Sequence, residues 1–140
     1  MKEFWLFLVM ALVVGCSDVV TSHYGTYNEA ANDQLFGRGW LPEFIPLSSF
    51  NITTSNNLDL NQSEGEFSFL LPETDSFVSR LVPYSGRGTP FSDFEKLVER
   101  RKAEGYALYE FSRKGCVWVF FMNRGKGHTY YRMWLVHNSN

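Results

Sequence analysis

The sequence predicts a single small α+β domain in which an antiparallel sheet is packed by two or three helices. Three apolar segments separated by short glycine-bearing links predict a C-terminal three-stranded meander. Segments with apolar residues at helical spacing predict the helices that cover it. The chain has 140 residues, enough for one real core but not for two large ones. We place this domain at residues 26–140.

The C-terminal meander is predicted to consist of strands over 106–112, 116–122 and 129–136. Its middle segment, from Cys116 to Met122, is apolar on both faces. A strand of that kind is usually central and covered on both sides. The third segment alternates, so Tyr130, Arg132 and Trp134 should share one face of the sheet.

A helix is predicted to follow Ser92, whose spacing to Glu95 resembles a capping box. Phe94, Leu97, Val98 and Arg101 recur at helical spacing, and Gly105 should end the helix. The other predicted elements are a helix over 26–36, an extended segment over 40–46 pinned by Trp40, Phe44 and Ile45, strands over 51–54 and 66–71, and a short helix over 72–81.

The N-terminus predicts export. One lysine precedes eleven apolar residues, 4–14. A helix of that length reaches about 16 Å at ~1.5 Å per residue, which is short of the ~30 Å hydrocarbon core. A short positive start, an apolar middle and small residues at the end are typical of a signal peptide, here residues 1–15.

The end of that apolar run, Val13-Val14-Gly15-Cys16, resembles the bacterial lipobox. The resemblance implies cleavage between Gly15 and Cys16, a diacylglycerol on the Cys16 sulfur and an acyl chain such as palmitate on the new amino terminus. Several acyl chains together anchor a protein stably in a bilayer. Residues 16–25 would then be a lipidated polar tether. In lipoproteins of this kind, an Asp directly after the lipidated cysteine favours retention in the inner membrane. Ser17 occupies that position here, so the resemblance favours the outer membrane of the bacterial envelope, facing the periplasm.

The net charge is −2, and it is unevenly distributed. Residues 17–79 carry nine acids and one base, whereas residues 80–140 carry eleven bases and five acids. The total gives no reason to expect a nucleic-acid partner. Either the two halves pack together and cancel, or a basic C-terminal face meets an anionic envelope surface or partner.

The best polar constellation for binding a cation is Asn57, Asp59 and Asn61, with Glu64 or Glu66 nearby. Alternating oxygen-bearing side chains can share one side and suit a hard cation such as calcium. The EF-hand pattern fails, because its required glycine is Gln62 and its closing glutamate is Ser68. A turn in which Asn and Asp side chains form hydrogen bonds with their own backbone would account for the same residues without a cation.

No set of residues predicts catalysis, a metal centre or a cofactor. With Cys16 lipidated, Cys116 is a lone thiol in an apolar strand, where cysteine serves as a small hydrophobe. His23, His128 and His137 lack metal-ligand spacing. We therefore expect a protein that is not an enzyme. The rival hypothesis is a hydrolase that uses Asp59 with a second carboxylate.

A second resemblance covers residues 24–71. The stretch Gly39-Trp40-Leu41-Pro42, then Ile45-Pro46 and Ser48, then Ile52 and Asn57-Leu58-Asp59-Leu60-Asn61, resembles small uncharacterised lipoproteins with a YbbD-type head domain. In that pattern the later stretch reads His-Asp-Leu-Asp-Thr-Asn, and Asn56-Asn57 replaces its leading His-Asp pair here. The resemblance implies no activity.

These observations favour an uncharacterised, membrane-anchored envelope lipoprotein with a non-catalytic binding or accessory domain. Besides the membrane, its expected partner is an envelope protein or a cell-wall component. A periplasmic inhibitor or immunity protein is the main alternative.

Overall fold

A computed structural model describes residues 18–86 and 88–136 as one domain built on a seven-stranded antiparallel sheet. The spatial order of the strands is β1-β2-β3-β7-β6-β5-β4. The strands are β1 Val19–Thr26, β2 Phe50–Asn57, β3 Gln62–Ser68, β4 Val82–Pro83, β5 Ala107–Arg113, β6 Cys116–Asn123 and β7 His128–Leu135. The described part of the chain is therefore mostly sheet, with few helices.

The predicted meander is confirmed. β5, β6 and β7 are consecutive antiparallel neighbours. Residues 117–122 of β6 are all buried, because both of its faces are covered, as their apolar sequence predicts. The β5–β6 turn places Lys114 at φ 50° and Gly115 at φ 78°, the left-handed conformations that a two-residue hairpin requires.

Three α-helices are present among the described residues: α1 Tyr27–Asn32, α2 Thr74–Val78 and α3 Phe94–Ala103. None of them has the length and apolar character needed to cross a membrane. A 3-10 turn at Leu71–Glu73, with Pro72 in its first turn, leads into α2 and confirms the predicted short helix. In α3, Phe94 and Leu97 are buried as predicted, and Gly105 follows the helix at φ 93°.

Four local expectations need correction. α1 ends at Asn32 rather than near 36, because Gln34 has a positive φ of 61°. The segment 40–46 turns instead of extending, although Trp40 and Ile45 are buried as expected. β3 lies at 62–68, earlier than the predicted 66–71. The capping box from Ser92 to Glu95 does not form, because α3 begins one residue later with Asp93 as its N-cap, and the Asp93 carboxylate binds Arg132 rather than a helix amide.

The predicted tether over 16–25 is wrong from residue 19 onward. Val19–Thr26 form β1, which pairs with β2 along almost its whole length at the edge of the sheet. Side chains on both faces of β1 hold it against β2. Tyr24 is buried beside Ile52 on one face, while Thr21 and His23 form hydrogen bonds to β2 on the other. The signal peptide and Cys16 lie outside the described residues, so cleavage and lipidation stay predictions.

The sheet has an apolar core on each face. One face, covered by α1, α2 and the 33–49 segment, holds the larger cluster, which includes Leu35, Ile52, Phe67, Phe77, Phe120 and Tyr131. The other face is covered by α3 and holds Phe94, Leu97, Val117, Val119, Phe121 and Trp134. Helix α3 therefore covers the β5–β7 part of this face, and β1–β3 are left polar beside it.

The acidic and basic halves of the chain face each other through ion pairs. Arg113 binds Glu43 at 2.7 Å, and Arg132 binds Glu64 at 2.8 Å. Arg124 pairs with Asp75, and His128 contacts Glu66 at 3.2 Å. Each of these four contacts joins a residue of the first half to one of the second, and the three arginine pairs support mutual cancellation of charge.

Gly65 lies at a close approach between β2 and β3. The pairing of the two strands shifts between Phe50 and Thr53, where Asn51 takes a φ of 48°. Next to this shift, the Thr53 carbonyl oxygen lies 1.9 Å from where a Cβ on Gly65 would lie. The chain can pass here only without a side chain at position 65.

We expect Gly65→Ala to lower the free energy of unfolding by about 1–3 kcal/mol or more, the usual cost of forcing extra atoms into a packed site. Chemical denaturation of the variant and wild type measures this difference. Gly88→Ala is the matched control, since a Cβ at Gly88 meets nothing within 4 Å. Equal losses for both variants would contradict the close approach.

Candidate functional site

A groove of about 500 Å³ lies where α3 stops covering the sheet. Its floor is formed by Leu97, Phe121 and Tyr130. One wall comes from β2 and β3 and carries the hydroxyl and carboxylate side chains of Thr53, Ser55, Glu64 and Glu66. The other side carries the guanidinium groups of Arg100, Arg101 and Arg132. Acidic and basic groups therefore face each other across one concave surface.

Arg132 ties the two sides of the groove together. Its side chain is only 15% exposed, and it binds Glu64 at 2.8 Å and Asp93, just before α3, at 3.3 Å. Its guanidinium also lies 4.8 Å from the centre of the Phe91 ring. The hydrogen bonds from Arg132 lower the pKa of Asp93. Arg132 is thus a fixed structural cation, positioned by β7 and committed to two carboxylates.

Arg101 and Arg100 are adjacent in sequence but differ in freedom. Arg101 stacks on Tyr130, with its guanidinium carbon 3.5 Å from the ring centre, and binds Glu104 at 2.8 Å. The aromatic face holds this cation in place. Arg100 is exposed and forms no ion pair with any described residue, although its charge helps to lower the pKa of Asp93. It is the cation available to a ligand.

Tyr106, His128 and Glu66 form a part-buried chain of hydrogen bonds beside the groove, and Glu66 is the member that lines it. His128 Nε2 lies 3.2 Å from Glu66, and its Nδ1 lies 2.9 Å from the Tyr106 hydroxyl. Since a carboxylate only accepts, Nε2 carries the proton and donates it to Glu66, while the Tyr106 hydroxyl donates to Nδ1. Burial lowers the pKa of His128, and the nearby Glu66 opposes that shift only in part. Both ring nitrogens are therefore occupied.

The lowered pKa of His128 makes the stability of the protein depend on pH. Between that value and the ordinary 6.5, the unfolded chain binds more protons than the folded one. The free energy of unfolding should therefore fall as the pH decreases from about 7.5 to about 5.5, a window above the ordinary carboxyl pKa values.

His128→Gln should flatten this slope, because glutamine does not titrate. Urea unfolding of both proteins at several pH values measures it, and His23 and His137 remain in both as internal controls. Parallel slopes for the variant and wild type would contradict the assignment.

The predicted polar constellation at Asn57, Asp59 and Asn61 forms an exposed hairpin turn. The Asn57 side-chain oxygen accepts a hydrogen bond from the Leu60 amide at 3.1 Å, and Asn61 has a φ of 49°. The segment therefore forms the Asx turn that the sequence offered as the alternative to a cation site. A hydrogen bond to the neighbouring Asp18 carboxyl raises the pKa of Asp59. No group of three metal-ligating side chains occurs among the residues that the structure describes, counting His, Cys, Asp and Glu.

The remaining predicted candidates are placed as follows. Cys116 is a free, half-buried thiol packed against the larger core, and burial raises its pKa, which disfavours the reactive thiolate. His23 lies on β1 beside Thr53, at 3.2 Å. Gly15, Cys16 and His137 lie outside the described residues.

Sequence reasoning missed the groove. Glu64 and Glu66 on β3 are far in the chain from Tyr130 and Arg132 on β7, and the pairing of the two strands brings them together. The alternation of Glu64 and Glu66 with Ser63 and Phe67 was a usable signal, because it puts both carboxylates on one polar face of a half-buried strand.

Comparison with known families gives one match. The model of the YbbD head domain matches residues 18–68. That part of the chain is similar to the YbbD head domain. The match confirms the predicted resemblance, begins earlier than predicted because it includes β1, and spans 51 of the 140 residues. No curated protein and no solved structure matches the chain.

The YbbD-like segment does not form a separate unit in this protein. It contributes β1, α1, β2 and β3, and β3 pairs along its length with β7 from the remainder of the chain. Its Ile52 and Phe67 pack in the same core as Phe120 and Tyr131. It also supplies one wall of the groove, whereas the rest of the chain supplies the other.

Proposed function

We propose that the protein is a lipid-anchored accessory domain of the bacterial cell envelope, held through Cys16, that binds a partner in the groove without catalysing a reaction. The groove carries this proposal, because its volume of about 500 Å³ lies within the ~300–1,000 Å³ typical of ligand sites. Arg100 and Glu66 supply charges of opposite sign along its rim. Similarity to the YbbD head domain supports an accessory role.

The state of the polar groups favours binding over catalysis. His128 Nδ1 is directed at the Tyr106 hydroxyl, and neither of these two residues is among those that line the groove. Arg132 is committed to two carboxylates. Asp59, on which the hydrolase hypothesis depends, lies on an exposed turn and is not among the residues that line the groove.

The chemistry of the walls suits a partner that carries both positive and negative groups. Glu66 attracts an ammonium group, whereas Arg100 can bind a carboxylate. A peptide segment provides both, whether it belongs to an envelope protein or to the stem peptides of the cell wall. An inhibitor or immunity role is the form of this proposal in which the partner is an envelope enzyme.

Cys16→Ser should release the protein from membranes, because serine offers no sulfur for the diacylglycerol. Fractionation of cells that express each form measures the shift from the membrane to the soluble fraction. Mass spectrometry of the wild-type amino terminus should show an acylated Cys16. An unmodified Cys16 with the leader still attached would contradict the anchor.

A photo-crosslinking amino acid at position 55 should capture the partner in intact cells, because Ser55 lines the groove. The same amino acid at position 53, on the same wall, should give the same adduct, and Arg100 stays in place to bind the partner. Position 112 is the matched control, since Ser112 is an exposed hydroxyl side chain on a strand but is not among the groove residues. Adducts no stronger at 55 and 53 than at 112 would contradict binding in the groove.

A further inference from the structure

Four of the large apolar side chains that the fold leaves exposed lie together at one end of the sheet. They are Val19 and Val20 on β1, 43% and 48% exposed, and Leu58 and Leu60 in the β2–β3 turn, 51% and 57% exposed. The Leu58 amide donates to the Asp18 carbonyl oxygen at 2.9 Å, and Val19 is opposite Asn57. We call these four residues the apolar tip.

The turn fixes its leucines in an outward position. The hydrogen bond between Asn57 and Leu60 and the left-handed conformation of Asn61 define the backbone. Exposed turns are normally built from polar or glycine residues, yet this one alternates Leu58 and Leu60 with Asp59 and Asn61. Neither leucine belongs to either apolar core. The fold therefore gives them no packing role.

The position of the tip follows from the anchor, so this step rests on the proposed function. Cys16 precedes Asp18 by two residues, a link of at most about 7 Å when fully extended. A bilayer of ~40–45 Å with a ~30 Å hydrocarbon core leaves only about 5–8 Å for each headgroup layer. A lipid on Cys16 thus holds Asp18, and the turn bonded to it, within or against that layer.

We infer that the apolar tip inserts into the interfacial layer of the bilayer that holds the lipid anchor, so that the domain has two membrane contacts and a fixed orientation. Apolar side chains at that depth gain by leaving water. β1 and β2 then run away from the membrane. Over the seven residue steps of β2, at ~3.3 Å each, the far end lies about 20 Å further out if the strand stands upright.

The charges at the apolar tip determine which lipid headgroups it should favour. Asp18 and Asp59 lie beside the apolar residues, and their proximity raises the pKa of Asp59. Anionic headgroups would repel these carboxylates, whereas a zwitterionic headgroup with an ammonium group can pair with them. We therefore expect insertion to be deeper in phosphatidylethanolamine–phosphatidylcholine vesicles than in vesicles rich in phosphatidylglycerol.

An environment-sensitive fluorophore at the tip tests this inference on the full lipidated protein. Cys116→Ser removes the free thiol, and Leu60→Cys or Leu47→Cys then provides a single labelling site. Leu47 is the matched control, because it is an exposed leucine, 73% accessible, that precedes the far end of β2. Both labelled proteins are reconstituted in phosphatidylethanolamine–phosphatidylcholine vesicles, and thermal unfolding verifies that they are folded.

The label at 60 should shift its emission to shorter wavelength, and nitroxide-bearing lipids should quench it several-fold more than the label at 47. Equal emission and quenching at the two positions would overturn the inference. Flotation of the same samples separates the two claims. Protein that does not float with the vesicles contradicts the anchor, whereas floating protein with a water-exposed label at 60 contradicts only the tip.

Discussion

The antiparallel pairing of β3 with β7 is the interaction on which the rest of the structure depends. Six residue pairs, from Ser63–Met133 to Ser68–His128, join the YbbD-like segment to the C-terminal meander. Without this ladder there would be two sheets of three and four strands, each with an exposed edge of unpaired backbone N–H and C=O groups. The ladder also makes the larger core continuous across the sheet and sets Glu64 opposite Arg132, so that charge cancellation and strand pairing occur at the same place.

The groove forms because α3 covers only part of one face of the sheet. α3 has ten residues, and at ~1.5 Å per residue it is about 15 Å long. Adjacent strands are ~4.8 Å apart, so seven strands are nearly 30 Å wide. One short helix cannot cover that width, and it packs where the sheet is apolar, on β5–β7. On the same face, β1–β3 carry hydroxyl and carboxylate side chains. The groove lies at the boundary between the part of the sheet that α3 covers and the part that it leaves uncovered.

Incomplete covering of the sheet also leaves apolar side chains exposed at its two ends. Apolar side chains outside the cores are concentrated at the termini of β2 and β3, with Leu58 and Leu60 at one end and Leu47, Phe50 and Leu70 at the other. The end with Leu58 and Leu60 is also where the described chain begins. Under the proposed lipid anchor on Cys16, this end would be the membrane-proximal one, with the groove on the side between the two ends.

The sequence by itself determined the meander, the burial of β6 on both faces and the inward stripe of α3, because these depend on short-range periodicity and on turn residues such as Lys114 and Gly115. It also predicted the family resemblance. Only the tertiary structure decided that residues 19–26 form a strand and that α3 begins after Asp93, whose carboxylate binds Arg132, instead of after the predicted cap at Ser92. It alone joined Glu66 to His128. Those outcomes depend on partners distant in the chain, and the energy of a cross-strand contact is absent from any local pattern.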